Sequence, residues 1–341
     1  MSAKRFSAIV PVAGTGTRLK PHTNTYPKVL LTVGDKPIIG HILDQLLEVG
    51  TPSICMVVGY MGEKIKAYVG KNYPALDITY VEQQEPKGLG HAIWLTSKQI
   101  TGPVFILLGD TILSADMKKF TTFEEDCIGV KAVDDPRRFG VVKTDADGYV
   151  TTMVEKPERP ESNLAIVGAY SFTDSAKLFR ALEQHVASGK TTKGEIQFTD
   201  AMMAMVRAGD KIKTVQIDGW YDCGKPETLL STNRYLLELK KEKFAEERGG
   251  NLIIPPSYIA PTAVVANSII GPHASIGDGA EITSSIVANS IINEHAFIKN
   301  TMLTDSLIGP RAALVGRKQQ INIGENSEIY FDSAEERESG E

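Results

Sequence analysis

A glycine-rich loop and the basic residues that follow it are the part of the sequence best suited to chemistry. After the apolar run Phe6–Val12, the chain reads AGTGTR from Ala13 to Arg18, and Lys28 follows ten residues later. Glycines allow a sharp turn in which backbone N–H groups approach a phosphate, and an arginine can donate two parallel hydrogen bonds to phosphate oxygens. A surface turn or a solvated charge would explain each residue alone, but together they favour an anion site.

The loop differs from two common phosphate-binding motifs. A dinucleotide-binding fingerprint needs a third glycine at the position that Leu19 occupies. A P-loop would end in Gly-Lys followed by Ser or Thr, and these residues are absent as well. The loop therefore predicts a phosphate site in which Arg18 and Lys28 flank the glycines.

Two aspartates are candidates for holding a metal ion near this loop. Asp110 follows the apolar run Val104–Leu108, at the edge where open α/β sheets bind ligands, and Asp222 lies far along the chain after Trp220. Two such carboxylates could hold one Mg²⁺, with phosphate oxygens and water completing an octahedron. A helix cap or a turn is the simpler interpretation of either aspartate taken alone.

Composition limits the classes of partner. The chain has 341 residues, of which 42% are hydrophobic and 23% charged, with a formal net charge of −5. This charge disfavours nucleic acid as a partner, whereas a local group of cations can still bind a small phosphorylated substrate. Three widely separated cysteines predict reduced thiols and a cytoplasmic location. No signal-peptide apolar region or membrane-length apolar stretch is evident, so we expect no membrane partner.

The order of apolar segments predicts how the loop is held. Up to about residue 126, short β-rich runs alternate with segments of helical periodicity. Such alternation is typical of βαβ units and predicts an α/β fold with a doubly wound, mostly parallel, Rossmann-like sheet. Closely spaced runs between residues 128 and 172 predict a mixed or antiparallel extension. The charged segment Lys225–Glu247 is predicted to be a helix that ends before Gly249-Gly250.

A different period begins after these two glycines. Branched apolar residues recur six apart within a set and 16 apart between sets, and a column of small residues keeps the 16-residue step. The positions are Ile270, Ile276 and Ile282; Ile286, Ile292 and Ile298; Met302, Ile308 and Leu314; and, for the small residues, Ala280, Ala296 and Ala312. This pattern predicts a short left-handed parallel β-helix rather than a β-sandwich with chance spacing. Four further apolar residues lie one position out of register with this repeat, as is common in end coils: Ile259, Val265, Ile323 and Ile329.

The loop region resembles a family signature. The run GTGTRLKPHTNTYPKVLLTVGDKPI, from Gly14 to Ile38, resembles that of the sugar-nucleotide pyrophosphorylases, or nucleoside-diphosphate-sugar nucleotidyltransferases. The resemblance continues to about Asn233 through further motifs in the family's order, namely QQEPKGLGHA, LLGD, FGVV, VEKP, VGAY, GEIQFTD and WYDCG. Long members of the family carry a β-helix after this region.

The resemblance implies roles for particular residues. Those implied to bind the nucleotide are Val12, Ala13, Gly14, Thr15, Gly16, Thr17, Gln83 and Gly88, with Gln83 reading a pyrimidine edge. Those implied to act in catalysis are Arg18, Lys28 and Lys156. Those implied to bind the sugar phosphate are Gly140, Glu155, Lys156, Val167 and Gly168. Asp110 and Asp222 are implied to converge on Mg²⁺, which outweighs the cap or turn interpretation.

The implied reaction is in-line attack by an oxygen of a sugar 1-phosphate on the α-phosphorus of a nucleoside triphosphate, with release of pyrophosphate. Cations and backbone donors are needed to bring two anions together, and no covalent intermediate is required. The β-helix favours dTTP as the nucleotide and glucose 1-phosphate as the sugar, with UTP next. The GDP-mannose and ADP-glucose enzymes are less similar. A non-catalytic regulatory or assembly subunit of the same fold is the alternative.

We therefore expect three parts along the chain. Residues 1–248 form a nucleotidyltransferase catalytic domain, residues 249–331 a hexapeptide-repeat β-helix and residues 332–341 a flexible acidic tail. We interpret the β-helix as an oligomerisation module, which predicts a homo-oligomer. An acyl-transferring β-helix is the other possibility, but its few coils offer only His273 and His295 as candidate catalytic histidines.

Overall fold

The computed structural model describes residues 6–239 and 246–317. In the first range the strands are β1 (Ser7–Pro11), β2 (Thr32–Val33), β3 (Lys36–Pro37), β4 (Ser53–Val58), β5 (Ile78–Glu82), β6 (Val104–Leu107), β7 (Thr111–Ser114), β8 (Cys127–Ala132), β9 (Gly140–Thr144), β10 (Val150–Glu155), β11 (Leu164–Phe172), β12 (Lys213–Gln216) and β13 (Gly219–Asp222). The helices are α1 (Ile38–Glu48), α2 (Gly62–Asn72), α3 (Leu89–Trp94), α4 (Lys118–Thr121), α5 (Ser175–Ser188), α6 (Phe198–Arg207) and α7 (Pro226–Glu238). Within the described ranges, none of the helices has the length and apolar character that crossing a membrane requires.

The central sheet has a parallel half and a mostly antiparallel half, in which β12 pairs parallel with β8. Strand β1 lies between β4 and β6, and all three run parallel, with β5 outside β4. Strand β11 then pairs antiparallel with β6, β8 and β9, and β10 pairs antiparallel with β9. The sequence predicted both halves, because βαβ alternation requires parallel neighbours and closely spaced strands allow antiparallel ones.

Hydrophobic cores lie on both faces of this sheet. Successive side chains of a strand point to opposite faces, so Ala8 and Val10 pack in one core and Ile9 in the other. The first core includes Leu43 of α1, and the second includes Met202 of α6. The sheet is therefore covered by helices on both sides, which confirms the doubly wound α/β class.

The helix predicted over Lys225–Glu247 is shorter in the structure. Helix α7 ends at Glu238, and β14 (Glu246–Arg248) pairs antiparallel with β15 (Asn251–Ile253). The φ angles of Gly249 and Gly250 are both positive, as a two-residue hairpin turn requires. Pairing with the neighbouring strand thus overrides the helix preference of the charged sequence, and the prediction was wrong for β14.

Three parallel sheets form the β-helix. Their further strands are β16 (Tyr258–Ile259), β17 (Val264–Ala266), β18 (Ile269–Ile270), β19 (Ser275–Ile276), β20 (Glu281–Thr283), β21 (Ile286–Val287), β22 (Ile291–Ile292), β23 (Phe297–Lys299), β24 (Met302–Leu303), β25 (Leu307–Ile308) and β26 (Ala313–Val315). Each strand pairs with its equivalent in the next coil, and a core of isoleucine, valine and alanine side chains fills the interior. This arrangement confirms the β-helix and fits the predicted left-handed form.

One column of the predicted repeat is out of register by one residue. On the face formed by β15, β18, β21 and β24, Ile270 pairs with Val287, and Val287 pairs with Leu303 in the next coil. Ile286 pairs instead with Met302, which is 72% exposed. The column that points inward therefore contains Val287 and Leu303, because two apolar residues are adjacent in each strand and the step alone does not choose between them. The predicted positions Ile323 and Ile329, and the tail at residues 332–341, lie outside the described residues.

Candidate nucleotide and sugar-phosphate site

A cavity of about 480 Å³ opens beyond the carboxyl ends of β1 and β6, where open α/β sheets bind ligands. Every site residue that the sequence predicted lines it, namely Val12, Ala13, Gly14, Thr15, Gly16, Thr17, Arg18, Lys28, Gln83, Gly88, Asp110, Gly140, Glu155, Lys156, Val167, Gly168 and Asp222. These residues come from segments that are distant in sequence, so the fold brings them together. Their placement makes the cavity the candidate site.

The glycine loop forms one end of the cavity. Apart from Gly14 and its two neighbours in the chain, no atom of the described residues lies within 4 Å of the position that a Cβ atom of Gly14 would occupy, so this part of the backbone is open. Gly16 has a φ angle of 65° and begins the short 3₁₀ turn that carries Arg18. The hydroxyl of Thr23, which is buried, donates to the carbonyl oxygen of Gly16 at 2.8 Å. The loop thus presents open backbone and a cation, which is what phosphate binding requires.

Lys28 and two aspartates form the floor of the cavity. Nζ of Lys28 lies 2.7 Å from Oδ2 of Asp110. Strand β13 pairs with β7 so that Asp222 lies opposite Thr111, and the backbone N–H of Cys223 donates to the carbonyl oxygen of Asp110 at 3.0 Å. The short β7–β13 ribbon therefore brings the second aspartate beside the first.

The electrostatics of these three groups are coupled. Burial would lower the pKa of Lys28, but attraction to Asp110, and then to Asp222, outweighs burial and raises it. Burial would likewise raise the pKa of Asp110, but Lys28 holds that pKa below its ordinary value. For Asp222, burial and then repulsion from Asp110 raise the pKa. The positive charge of Lys28 therefore compensates the charge of Asp110, whereas the charge of Asp222 is not fully compensated.

The other end of the cavity is built from strands β9 and β10. Glu155 lies opposite Gly140 in the antiparallel pair, and its Oε2 accepts a 2.7 Å hydrogen bond from the hydroxyl of Thr199. Nζ of Lys156 lies 3.2 Å from Oε1 of Glu155. Lys156 has a φ angle of 44°, which is unusual for a residue with a side chain, and its N–H donates to the carbonyl oxygen of Phe139. A strained backbone at this point holds a cation beside a carboxylate.

Gln83 lies in a side wall of the cavity. Its Nε2 is 3.1 Å from the carbonyl oxygen of Gly88 and 3.1 Å from Nδ1 of His91. Burial and then the charge of Lys87 lower the pKa of His91, so the neutral ring can accept a hydrogen bond at Nδ1. With both amide hydrogens engaged, Oε1 of Gln83 is the group that can accept a hydrogen bond from a ligand.

Gly88 is required for a reason that the sequence does not show. Its φ angle is 107°, and a Cβ atom there would lie 2.7 Å from the carbonyl oxygen of Ile196 and 2.8 Å from Cβ of Glu195. The resemblance implied a nucleotide-binding role for Gly88. The structure shows that glycine at this position lets the 195–196 segment approach.

Sequence reasoning missed two polar residues of this region, Arg138 and Thr199, and did not foresee the contact that His91 makes. Arg138 lines the cavity and has Nη2 4.0 Å from Oδ2 of Asp222, while its guanidinium lies over the ring of Phe139. Thr199 orients Glu155, and His91 orients Gln83. Thr199 lies in the motif GEIQFTD and Arg138 directly precedes FGVV, but only the fold shows which carboxylate each one contacts.

Comparison with known proteins decides the class of the chain. Residues 7–238 match the family model described as nucleotidyl transferase. The chain belongs to this family. The resemblance that the sequence motifs indicated is thereby confirmed, and so is the prediction that the chain is an enzyme of nucleotidyl transfer.

Individual members of the family differ in how much of the chain they match. The UTP–glucose-1-phosphate uridylyltransferase AglF of Haloferax volcanii is 36% identical over 228 residues, which cover 64% of this chain and 92% of the relative. A glucose-1-phosphate thymidylyltransferase of Streptomyces antibioticus is 30% identical over 366 residues, which cover 96% of this chain and 99% of the relative. A solved UDP-glucose pyrophosphorylase in complex with UDP-glucose is 26% identical with a TM-score of 0.61, covering 70% of this chain and all of that one.

Proposed function

We propose that the chain joins a nucleoside triphosphate to a sugar 1-phosphate and releases pyrophosphate. The observation that carries the proposal is one cavity with two anion-binding ends, the glycine loop with Arg18 and the turn at Lys156, on either side of the Lys28–Asp110 pair. A reaction between two phosphorylated substrates needs such an arrangement, because each anion must be held against repulsion from the other.

The residues have distinct tasks in this proposal. Backbone N–H groups of the loop bind the triphosphate, and Arg18 stabilises the negative charge that builds up on the leaving pyrophosphate. Lys156 holds the phosphate of the sugar, and Glu155 accepts hydrogen bonds from sugar hydroxyls, with Gly140, Val167 and Gly168 lining the pocket. Lys28 contacts the phosphate that is transferred. The attacking oxygen is already anionic, so no side chain has to act as a general base.

We propose that Asp110 and Asp222 hold a divalent cation, Mg²⁺ being the ion that best fits. Enzymes of the family generally use a divalent metal. Burial, and then repulsion from Asp110, raise the pKa of Asp222, so a cation between the two carboxylates would relieve an existing imbalance. No group of three or more histidine, cysteine or acidic side chains in residues 6–239 and 246–317 could enclose a metal. Two carboxylates leave positions for phosphate oxygens and water, which Mg²⁺ requires. When bound, the ion would neutralise charge on the phosphates.

We propose dTTP and glucose 1-phosphate as substrates. The free Oε1 of Gln83 suits the N3–H donor of thymine or uracil, whereas cytosine has an acceptor at that position. The match to a thymidylyltransferase over nearly the whole chain favours dTTP, and the higher identity of the uridylyltransferase keeps UTP as the second candidate. A methyl group distinguishes the two bases and contributes only about 1–3 kcal/mol, so use of both is compatible with this site.

The alternative of a non-catalytic regulatory subunit is not favoured. A chain that had lost its activity would be expected to lose the residues that bind the phosphates and the metal ion. Arg18, Lys28, Asp110, Lys156 and Asp222 are all present and all line one cavity.

We propose that residues 1–248 form the catalytic domain, which contains the site, and that residues 249–331 form the β-helix domain. Strand β14 of the first domain pairs with β15 of the second. The β-helix is proposed to mediate a homo-oligomer through the face formed by β17, β20, β23 and β26. On this face Val264, Phe297 and Val315 are 59%, 36% and 56% exposed. Static light scattering of full-length Phe297→Glu should give a lower mass than the parent chain. An unchanged mass would argue against this face as the contact.

A substrate panel tests the proposed function. Pyrophosphate release is measured with dTTP, UTP, CTP, ATP and GTP, each paired with glucose-, galactose-, mannose- or N-acetylglucosamine 1-phosphate in the presence of Mg²⁺. We expect the highest kcat/KM with dTTP and glucose 1-phosphate, and the next highest with UTP. No release with any pair would reject the proposal and favour a regulatory subunit.

A further inference from the structure

The segment that connects Arg18 to Lys28 is held on three sides. On one side Thr23 donates to Gly16 of the loop at 2.8 Å, and on a second Nζ of Lys64 donates to the carbonyl oxygen of Thr25 at 2.5 Å. The third side is the β-helix. Residues 20–27, the connecting segment, therefore determine where Arg18 and Lys28 lie. A contact that fixes this segment fixes both cations.

Two contacts join the connecting segment to the β-helix. The hydroxyl of Tyr26 donates to Oε1 of Glu294 at 3.5 Å. A Cβ atom on Gly309 would lie 3.3 Å from Nδ1 of His22, so the histidine ring packs closely against that coil. The backbone N–H of Arg311 donates to the carbonyl oxygen of Glu294 at 2.9 Å, so the contacts lie on consecutive, hydrogen-bonded coils. A rigid surface therefore meets the segment at two points.

The β-helix is itself firmly docked beside this segment. Ile291 is fully buried and belongs to the same hydrophobic core as Leu19, the residue after Arg18. Asn233 of α7 is also fully buried, and its Oδ1 accepts hydrogen bonds from the N–H of Gly34 and the hydroxyl of Ser275. Buried polar groups with every partner in place fix a single arrangement. The β-helix therefore has one defined position relative to the connecting segment, and it can hold that segment in place.

We propose that Tyr26 and Glu294 are positioning residues, through which the β-helix holds Arg18 and Lys28 in their catalytic arrangement. The inference rests on the proposed function, because it assigns these two cations to the reacting phosphates. The β-helix then supports chemistry within its own chain, in addition to any part that it takes in assembly. A small displacement of a catalytic group lowers the rate without abolishing substrate binding.

Full-length Tyr26→Phe, Glu294→Ala and the double variant test this role against Glu183→Ala, which removes an exposed glutamate of α5. We expect kcat with dTTP to fall about fivefold in each single variant, the size of one lost hydrogen bond, and no further in the double variant. The KM for glucose 1-phosphate should remain at the value of the control. Thermal midpoints and masses identify any variant that fails to fold, and Tyr26→Phe is the mildest change.

Hydrogen–deuterium exchange of the same proteins reports on the segment without any need for activity. Peptides covering residues 17–30 should exchange faster in the three variants than in Glu183→Ala. Exchange and kcat equal to those of the control would overturn the inference, and so would faster exchange with unchanged kcat. Absence of turnover in the parent chain would instead reject the proposed function, and the catalytic part of this inference with it.

Discussion

The two ends of the cavity are built in different ways. At the loop end, Gly14 and Gly16 offer backbone, and Arg18 precedes a segment in which Thr23 donates to Gly16 and Tyr26 donates to Glu294 of the β-helix. At the strand end, Glu155 and Lys156 follow a paired strand, and the sheet itself fixes them. Under the proposed function, the loop end must hold its cation against charge that increases during the reaction. The strand end, under the same proposal, binds a phosphate that is charged from the start.

The largest expected effect lies between the two ends. Asp110→Asn removes the charge that pairs with Lys28 and one of the two proposed metal ligands, so kcat should fall about 10³-fold. Steady-state pyrophosphate release measures the loss, and Asp147→Asn, at an exposed position, is the control. If Asp110→Asn turns over at a rate near that of Asp147→Asn, the central assignment is wrong.

Matched variants of the two ends sharpen the comparison. Arg18→Met should lower kcat about 10²-fold, because its partner charge grows in the transition state. Lys156→Met should mainly raise the KM for glucose 1-phosphate, about tenfold, because it binds a charge that is present throughout. Initial rates over both substrates separate the two patterns, with Lys190→Met as the exposed control. The same pattern in both variants would contradict the division between the ends.

Base discrimination tests the side wall. Gln83→Leu removes the acceptor that His91 and Gly88 orient, so the ratio of kcat/KM for dTTP over dCTP should fall about tenfold. Gln99→Leu, an exposed position, should leave the ratio unchanged. Retention of full discrimination by Gln83→Leu would show that another group reads the base.

The smallest expected effect concerns stability at high pH. Burial, and then Glu294, raise the pKa of Tyr26 from its ordinary value of 10.0 to about 12. The neutral phenol is therefore favoured in the folded state, and its contribution to stability is lost as pH rises from 10 towards 12. Urea unfolding over this range should show a shallower loss for Tyr26→Phe than for the parent chain or Tyr60→Phe. Parallel curves would contradict the burial of this hydroxyl.

Much of the fold followed from short-range pattern. The glycine loop after β1 and Asp110 after β6 were predictable because polar residues that end buried parallel strands meet at one edge. The β-helix was predictable from its repeat. The register of the face that contains β18, β21 and β24 was not predictable. Ile286 and Val287 are equally apolar, and only stacking on Ile270 decides between them.

The residues that sequence reasoning missed act across long separations. Arg138 contacts Asp222 and Thr199 contacts Glu155 only after the sheet and the β7–β13 ribbon have formed. Strand β14 shows the same limit, because its charged sequence favours a helix until pairing with β15 is available. Local preference predicts an element, and tertiary pairing decides between elements of similar free energy.

The central claim is that the cavity transfers a nucleotidyl group, and the fate of labelled phosphorus tests it most directly. Purified chain is incubated with glucose 1-phosphate and dTTP labelled with ³²P at either the α- or the γ-position. We predict that the α-label appears in the nucleotide sugar and the γ-label in pyrophosphate, in equal amounts. Release of the γ-label as orthophosphate, or retention of the α-label in free nucleotide, would contradict the account.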